Sequence, residues 1–245
     1  TTKFSHERIS GSDMKRFFLI ISFVWFLSQL IHPSLADASS YQNKNISLID
    51  RKNKWPNWEI VDSLFHSYFT SDLFYPEWFM GEWDVDSFDL SNEFNLPVKH
   101  RAVFKANNKN EIIADRTFNS QSLIRSIFND DTILVKSDPK TINRQVTLLD
   151  NNNFLDTKIV YRKQENYGGK FLTDEIAMQI FYSSLLPRLT HVETLTEFQP
   201  CFDDKNLTIE NSIPFKICAE QWQVIYDEAK DFVYSNPLKV THYRM

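Results

Sequence analysis

The sequence predicts a mainly β protein: an antiparallel β-barrel domain with two or three short helices, preceded by an N-terminal export signal. Three observations predict it. From Phe79 onward apolar and polar residues alternate with a period of two, as in strands with one buried and one wet face. Polar turns such as "NNKN", "SDPKTIN" and "DNNN" separate the alternating runs, at the spacing expected of an antiparallel sheet or barrel. Near the start, two basic residues precede a largely apolar run, the order of an export signal.

The targeting segment occupies residues 1–38. Lys15 and Arg16 follow Met14, residues 17–31 form a largely apolar run, and Ala36-Asp37-Ala38 offers an A-x-A cleavage pattern. As a helix the run reaches about 22 Å, short of a hydrocarbon core about 30 Å thick. It is either a cleaved signal or a retained anchor. Residues 39–72 then read as a linker and one amphipathic helix. The linker, 39–55, is rich in Asn, Lys and Ser, and "WPNWEIVDSLFHSYFT" places Pro56 at a helix start with Ile60, Leu64 and Phe65 on one face.

The barrel domain is expected over 73–245. In "GEWDVDS", Trp83 and Val85 face one way and Glu82, Asp84 and Asp86 the other. "LDTKIVYRK" repeats the alternation. Further strands are expected at 98–105, 111–116, 132–136, 144–149, 190–198, 206–209, 221–226 and 239–245. Two stretches read as short helices instead. "NSQSLIRSIFND" has Asn119 or Ser120 as a cap, and "TDEIAMQIFYSS" opens on a Thr-Asp cap with Ile176, Ile180 and Phe181 on one face. Cys201 and Cys218, in an exported chain, read as a disulfide, with two buried thiols as the alternative.

Composition excludes several function classes. Net charge is −5, without the basic surface that nucleic-acid binding needs. The four glycines, Gly11, Gly81, Gly168 and Gly169, form no phosphate-cradling loop. His66, His100, His191 and His242 lie far apart with no metal-ligand spacing, so no metal is expected. There is no G-x-S-x-G, and the acidic residues Glu77, Glu82, Asp84 and Asp86 read as solvated strand surface rather than a glycosidase pair. No catalytic residue and no cofactor is expected. Asp115-Arg116 reads as a strand-end ion pair. The aromatic excess is different: Tyr75, Trp78, Phe79 and Trp83 either line the mouth of a cavity for an apolar ligand or pack as core. "NIS" and "NLT" are glycosylation sequons, relevant to a secretory route alone.

Gly81-x-Trp83 at the first strand resembles the signature of lipocalin-like (calycin) barrels. That resemblance implies Trp83 across the barrel floor, Gly81 admitting the chain at close quarters, and a late-strand arginine, here Arg244, packed on the indole as a cation–π partner. A second resemblance covers residues 73–245. "YPEWFMGEWDV", "IIADRTFNS", "SDPKTINRQVTLL", "HVETLTEFQ" and "LKVTHYR" are similar, in that order, to a family of uncharacterised lumenal proteins of cyanobacteria and plastids. It implies a thylakoid-lumen location, with secretion as the alternative, and supplies no catalytic residues. The segment 200–218 with its cysteine pair departs from that pattern. The function this leads one to expect is a non-catalytic auxiliary or assembly subunit of a photosynthetic membrane complex, a photosystem. The alternative is a lipocalin-like carrier of a pigment, quinone or lipid.

Overall fold

The computed structural model describes residues 46–58, 72–91, 96–149, 153–183, 186–201, 216–227 and 237–244, the backbone alone at 227 and 237–244. The targeting segment, the helix expected over 59–70 and the strand expected over 206–209 lie outside the described residues.

The fold is mainly β and antiparallel. Its strands are β1 (Gly81–Asp89), β2 (Val98–Ala106), β3 (Ile112–Ala114), β4 (Leu134–Ser137), β5 (Arg144–Leu148), β6 (Phe154–Tyr167), β7 (Lys170–Tyr182), β8 (Arg188–Cys201), β9 (Lys216–Asp227) and β10 (Pro237–Arg244). Their order is β3-β2-β1-β10-β9-β8-β7-β6-β5-β4. Each strand from β4 to β10 therefore lies beside its successor, and the last strand pairs with the first at Phe88↔Arg244 and Asp89↔Tyr243. Among the described residues no ladder joins β3 to β4, so the sheet is not closed by strand pairing.

That gap is where helix α2 (Arg116–Phe128) falls in the chain; α1 (Leu48–Asn53) precedes the sheet. α2 buries no residue, yet it is tied to both free edges. β3 covers β2 only from Phe104 to Ala106, which leaves the edge groups at 99, 101 and 103 without a strand partner. Asn119 accepts from the Val103 amide (2.7 Å) and donates to its carbonyl (3.2 Å). Ser122 accepts from the Arg101 amide (2.9 Å) and Ser126 donates to the Lys99 carbonyl (2.5 Å). Residues 119, 122 and 126 form one helical stripe, matched to every second residue of the strand. The next stripe serves β4: Gln121 accepts from the Val135 amide (3.0 Å), and Arg125 donates to the Ile133 carbonyl (2.9 Å). Polar side chains here replace a ladder of backbone bonds. The helix begins one turn before the expected cap: Asp115 accepts from the Phe118 amide (3.2 Å), and Asn129 closes the other end in the left-handed conformation (φ 52°).

Three expectations need correction. "TDEIAMQIFYSS" is not a helix but most of β7, paired along its length with β6 and β8. Ile176 and Ile180 are four apart, a spacing that puts residues on one face of a strand as well as a helix. Two long neighbours offering ladder partners decided between them. The polar linker contains α1, capped by Ser47, whose hydroxyl accepts from the Asp50 amide (3.1 Å). It escaped notice because only Leu48 and Arg51 are buried in it. Pro56 does not open a helix in the described part: it follows a cis bond after Trp55, in the turn leaving α1.

Strands β6–β9 are covered on both faces. Adjacent residues of a strand point oppositely, and Phe171 and Leu172 head two separate cores. Leu172 packs with Leu195, Trp222, Val224 and Tyr226 under Leu48 and Trp58 of the α1 segment. Phe171 packs with Phe79 and Ile112, joined by Tyr75, Trp78, Phe104, Phe198 and Ile217.

Candidate functional site

The face beneath α1 carries the densest buried charge among the described residues. Register aligns Lys163 of β6 with Asp174 of β7, Asp174 with Leu195 of β8, and Glu193 with Val224 of β9. Alternation then places Tyr161, Lys163, Glu165, Asp174, Glu193, Glu197, Trp222 and Tyr226 on one surface. Glu193 is 0% exposed. Arg51 reaches down from α1 and donates to both its oxygens, Nε to Oε1 at 2.7 Å and Nη2 to Oε2 at 2.6 Å. The Tyr226 hydroxyl donates to Oε2 as well (2.6 Å). A planar fork on a carboxylate is the geometry that makes Arg, not Lys, suited to a buried pair.

The rest of the α1 segment is held the same way. Glu165 accepts from the Leu48 amide (2.8 Å), Lys163 donates to the Ile46 carbonyl (2.6 Å), and Lys52 donates to Glu197 (2.5 Å). Lys170 donates to the other Glu197 oxygen (2.6 Å). Lys52 also lies over the Trp222 ring and Arg51 over the Trp58 ring, each 5.1 Å from the centroid. The Trp58 indole N–H donates to the Arg51 carbonyl (2.7 Å), closing the segment on itself.

Electrostatics follow from this packing. Burial, then the charge of Glu193, pushes the Asp174 carboxyl well above the usual carboxylate range. One of its oxygens, Oδ1, is buried without a hydrogen-bond partner, as suits a protonated acid better than a carboxylate. Burial opposes the charge of Arg51, but its bond to Glu193 and that carboxylate's charge outweigh it and hold the guanidinium protonated. Burial and then Glu193 likewise push the Tyr226 hydroxyl up. Burial works against the Glu197 charge too, yet its bonds to Lys170 and Lys52 leave it lowered. The two neighbouring carboxyls are sealed by α1, so the arrangement binds a cation rather than presenting an acid–base pair to solvent.

A second ionic cluster lies on the opposite face. Arg116, the first residue of α2, donates through Nε (2.8 Å) and Nη2 (2.6 Å) to Asp72, and Nη2 also reaches Glu175 (3.3 Å). Arg162 donates to Glu175 (2.6 Å). Gln164 pairs with the Phe74 backbone in both directions (2.8 and 3.1 Å). These contacts lay the 72–80 segment across β6 and β7. Asp115 and Arg116 are not paired with each other: Asp115 caps α2 and bonds Lys105 (2.7 Å).

The aromatic candidates fall beside this cluster. Tyr75 and Phe79 lie 4.8 Å apart, each 4.8 Å from Phe104, and Trp78 stacks on Phe79 at 4.4 Å. Phe171 and Phe198 complete the packing. These rings fill one another's space. What remains is a surface recess of about 270 Å³ lined by Pro76, Trp78 and residues 166–171, with Tyr167 exposed at its edge. Trp83 sits apart from the core, half-buried, its indole N–H donating to the Phe79 carbonyl (2.7 Å). The backbone of Arg244 pairs with Phe88, five residues along β1 from Trp83, and its side chain lies outside the description. Gly81 adopts φ +123°, and a Cβ there would meet nothing within 4 Å. Backbone conformation, not close approach, requires that glycine.

Cys201 and Cys218 are joined as a disulfide between the end of β8 and the start of β9. Glu77, Glu82, Asp84 and Asp86 are exposed, with Glu82 paired to Arg101 and Asp86 to Lys99. His100 and His191 stand on separate strands, each held below the usual histidine range by burial. Among the described residues no three His, Cys, Asp or Glu side chains are grouped to hold a metal, and no helix is long and apolar enough to cross a membrane.

Sequence reasoning passed over Arg51, Asp174, Glu193 and Tyr226. One signal was present: "VETLTEF" alternates so that Glu193 and Glu197 share a face with Leu195. Acids on the apolar face of a strand imply a buried cationic partner.

No curated protein and no solved structure matches the chain. A family described as a domain of unknown function, DUF6816, matches residues 67–245, from just before the 72–80 segment to the last strand. The chain belongs to the DUF6816 family.

Proposed function

We propose that this chain is a non-catalytic auxiliary or assembly subunit of a photosynthetic membrane complex, a photosystem, acting in the thylakoid lumen. The location rests on the five-block resemblance to lumenal proteins and on the signal-like segment 1–38. The observation that carries docking over ligand carriage is the mutual packing of Tyr75, Phe79, Phe104, Phe171 and Phe198. An apolar carrier needs an interior of about 300–1,000 Å³. Here the aromatic side chains occupy each other's contact surface, and the recess outside them is smaller than that. Its rim of Trp78 and exposed Tyr167 suits a protein surface, where aromatics anchor contacts.

In this proposal the sheet is a lipocalin-like barrel of a modified kind. First and last strands pair, every other strand meets its sequence neighbour, and α2 stands in for the one missing ladder. The test is sedimentation of mildly solubilised thylakoids, following this chain across the gradient. Co-migration with one photosystem at moderate salt, weakened by Tyr167→Ala, is expected. Migration as a free protein would overturn the subunit proposal.

A further inference from the structure

The carboxylates beneath α1 all belong to strands inside the family-matched region, which begins at residue 67. The cationic partner of Glu193, Arg51, comes from residues 46–58, outside it, whereas Lys163 and Lys170, inside it, pair with Glu165 and Glu197. The part of the chain that defines the family thus carries a buried carboxylate, Glu193, whose cationic complement the family match does not contain. Glu193 is fully buried and Asp174 is 2% exposed, with Glu165 and Glu197 at either side, and Trp222 and Tyr226 supply ring faces and a hydroxyl.

The occupant is attached in a way that a substitute can copy. α1 has six residues, too few to be stable as a helix without its groove. It adds no strand to the sheet. Its polar attachments to the groove are side-chain contacts, apart from the Leu48 amide on Glu165 and the Ile46 carbonyl under Lys163. Charge complements charge where α1 meets the sheet: Arg51 bonds Glu193 and Lys52 bonds Glu197. The specific elements are few: one arginine for Glu193, one lysine between Glu197 and Trp222, and an apolar pair, Leu48 and Trp58, each 1% exposed.

We propose that the β6–β9 face is a peptide-binding groove for a short cationic helix bearing an arginine and a tryptophan. Residues 46–58 are its built-in occupant, which a partner segment of the same chemistry displaces. This goes beyond the docking surface at Trp78 and Tyr167 and does not depend on it.

The probe is a labelled 13-residue peptide with the sequence of residues 46–58, titrated into the full chain by fluorescence anisotropy. Weakening the built-in occupant with Arg51→Ala raises the fraction of open groove, and apparent affinity rises with that fraction. Saturable binding to the Arg51→Ala chain, at least about tenfold tighter than to the unaltered chain, is expected. An Arg→Ala change in the peptide, or Glu193→Gln added to the chain, should abolish it. A folded Arg51→Ala chain that ignores the peptide overturns the proposal, as does binding indifferent to Glu193→Gln. Should Arg51→Ala fail to fold, Lys52→Ala, which removes a partly exposed contact, takes its place. There, affinity no better than that of the unaltered chain is the overturning result.

Discussion

Replacing Arg51 by Ala tests whether the polar site holds the α1 face together. The change removes both bonds to Glu193 and the guanidinium stacked on Trp58. Glu193, with no exposure to water, keeps the Tyr226 hydroxyl. Breaking a buried pair from one side costs about 3–5 kcal/mol because the stranded charge is uncompensated. The stacking adds about 0.5–1 kcal/mol. A total near 4 kcal/mol is a large share of the roughly 5–15 kcal/mol that separates a native domain from its unfolded chain. Removing both charges behaves differently: Arg51→Met with Glu193→Leu leaves no stranded ion, and such swaps run from neutral to stabilising. Urea unfolding of Arg51→Ala, of the singles Arg51→Met and Glu193→Leu, and of the double variant, followed by tryptophan fluorescence, measures the coupling. The double variant should be more stable than Arg51→Ala. A loss below about 1 kcal/mol for Arg51→Ala, the range of an exposed pair, would refute the reasoning.

Asp174 should make the fold less stable as pH rises. Its native pKa lies well above the ordinary value, so the native state holds a proton that the unfolded chain releases above about pH 4. Stability then falls by up to about 1.4 kcal/mol per pH unit until the raised pKa is passed. Asp174→Asn should flatten that slope above about pH 4, and an unchanged slope would show that Asp174 is ionised in the fold. Asn119→Ala removes both bonds to Val103 across the seam. About 1–3 kcal/mol should be lost, with faster amide exchange at Val103; equal protection would mean that the edge needs no helix. Gly81→Ala should cost about 1–3 kcal/mol through backbone strain at φ +123° alone, since the site has room for the methyl. A neutral result in thermal melts would mean that the turn relaxes.

Legibility in the sequence tracked how each element earns its stability. β1 announced itself because one of its faces stays wet and the alternation survives. β7 misled because both its faces are covered: with Leu172, Thr173 and Asp174 all buried, the period of two disappears and an i, i+4 pair of isoleucines reads as a helix. Packing was visible as an aromatic excess, but not its direction. Tyr75, Trp78 and Phe79 were close enough in sequence to be grouped, whereas Phe104, Phe171 and Phe198, which turn them from a cavity lining into a core, come from three distant strands. The buried site was the least legible for the same reason. Arg51 and Glu193 are 142 residues apart, and only the docking of α1 on the sheet makes them neighbours.

The two described helices, α1 missed in the linker and α2 expected but with its cap placed a turn late, share a feature that bears on what each can do. Apolar periodicity finds helices that dock by burying a greasy stripe. α2 buries nothing, and α1 buries one leucine and one arginine. Both dock by side-chain chemistry instead, α2 offering Asn, Gln and Ser to open strand edges, α1 offering Arg and Lys to sunken acids. Hydrophobic contact is tolerant of what sits opposite it, whereas each of these bonds demands a particular donor or acceptor at about 2.5–3.2 Å. Their roles nevertheless differ. α2 satisfies backbone groups on edges that would otherwise be open to other strands, so its loss would expose the sheet to self-association. α1 satisfies side chains, and the stranded partner, Glu193, has no function in the sheet's own ladder. A fold has no need to bury that carboxylate for its strands to pair; a groove that must recognise an arginine does.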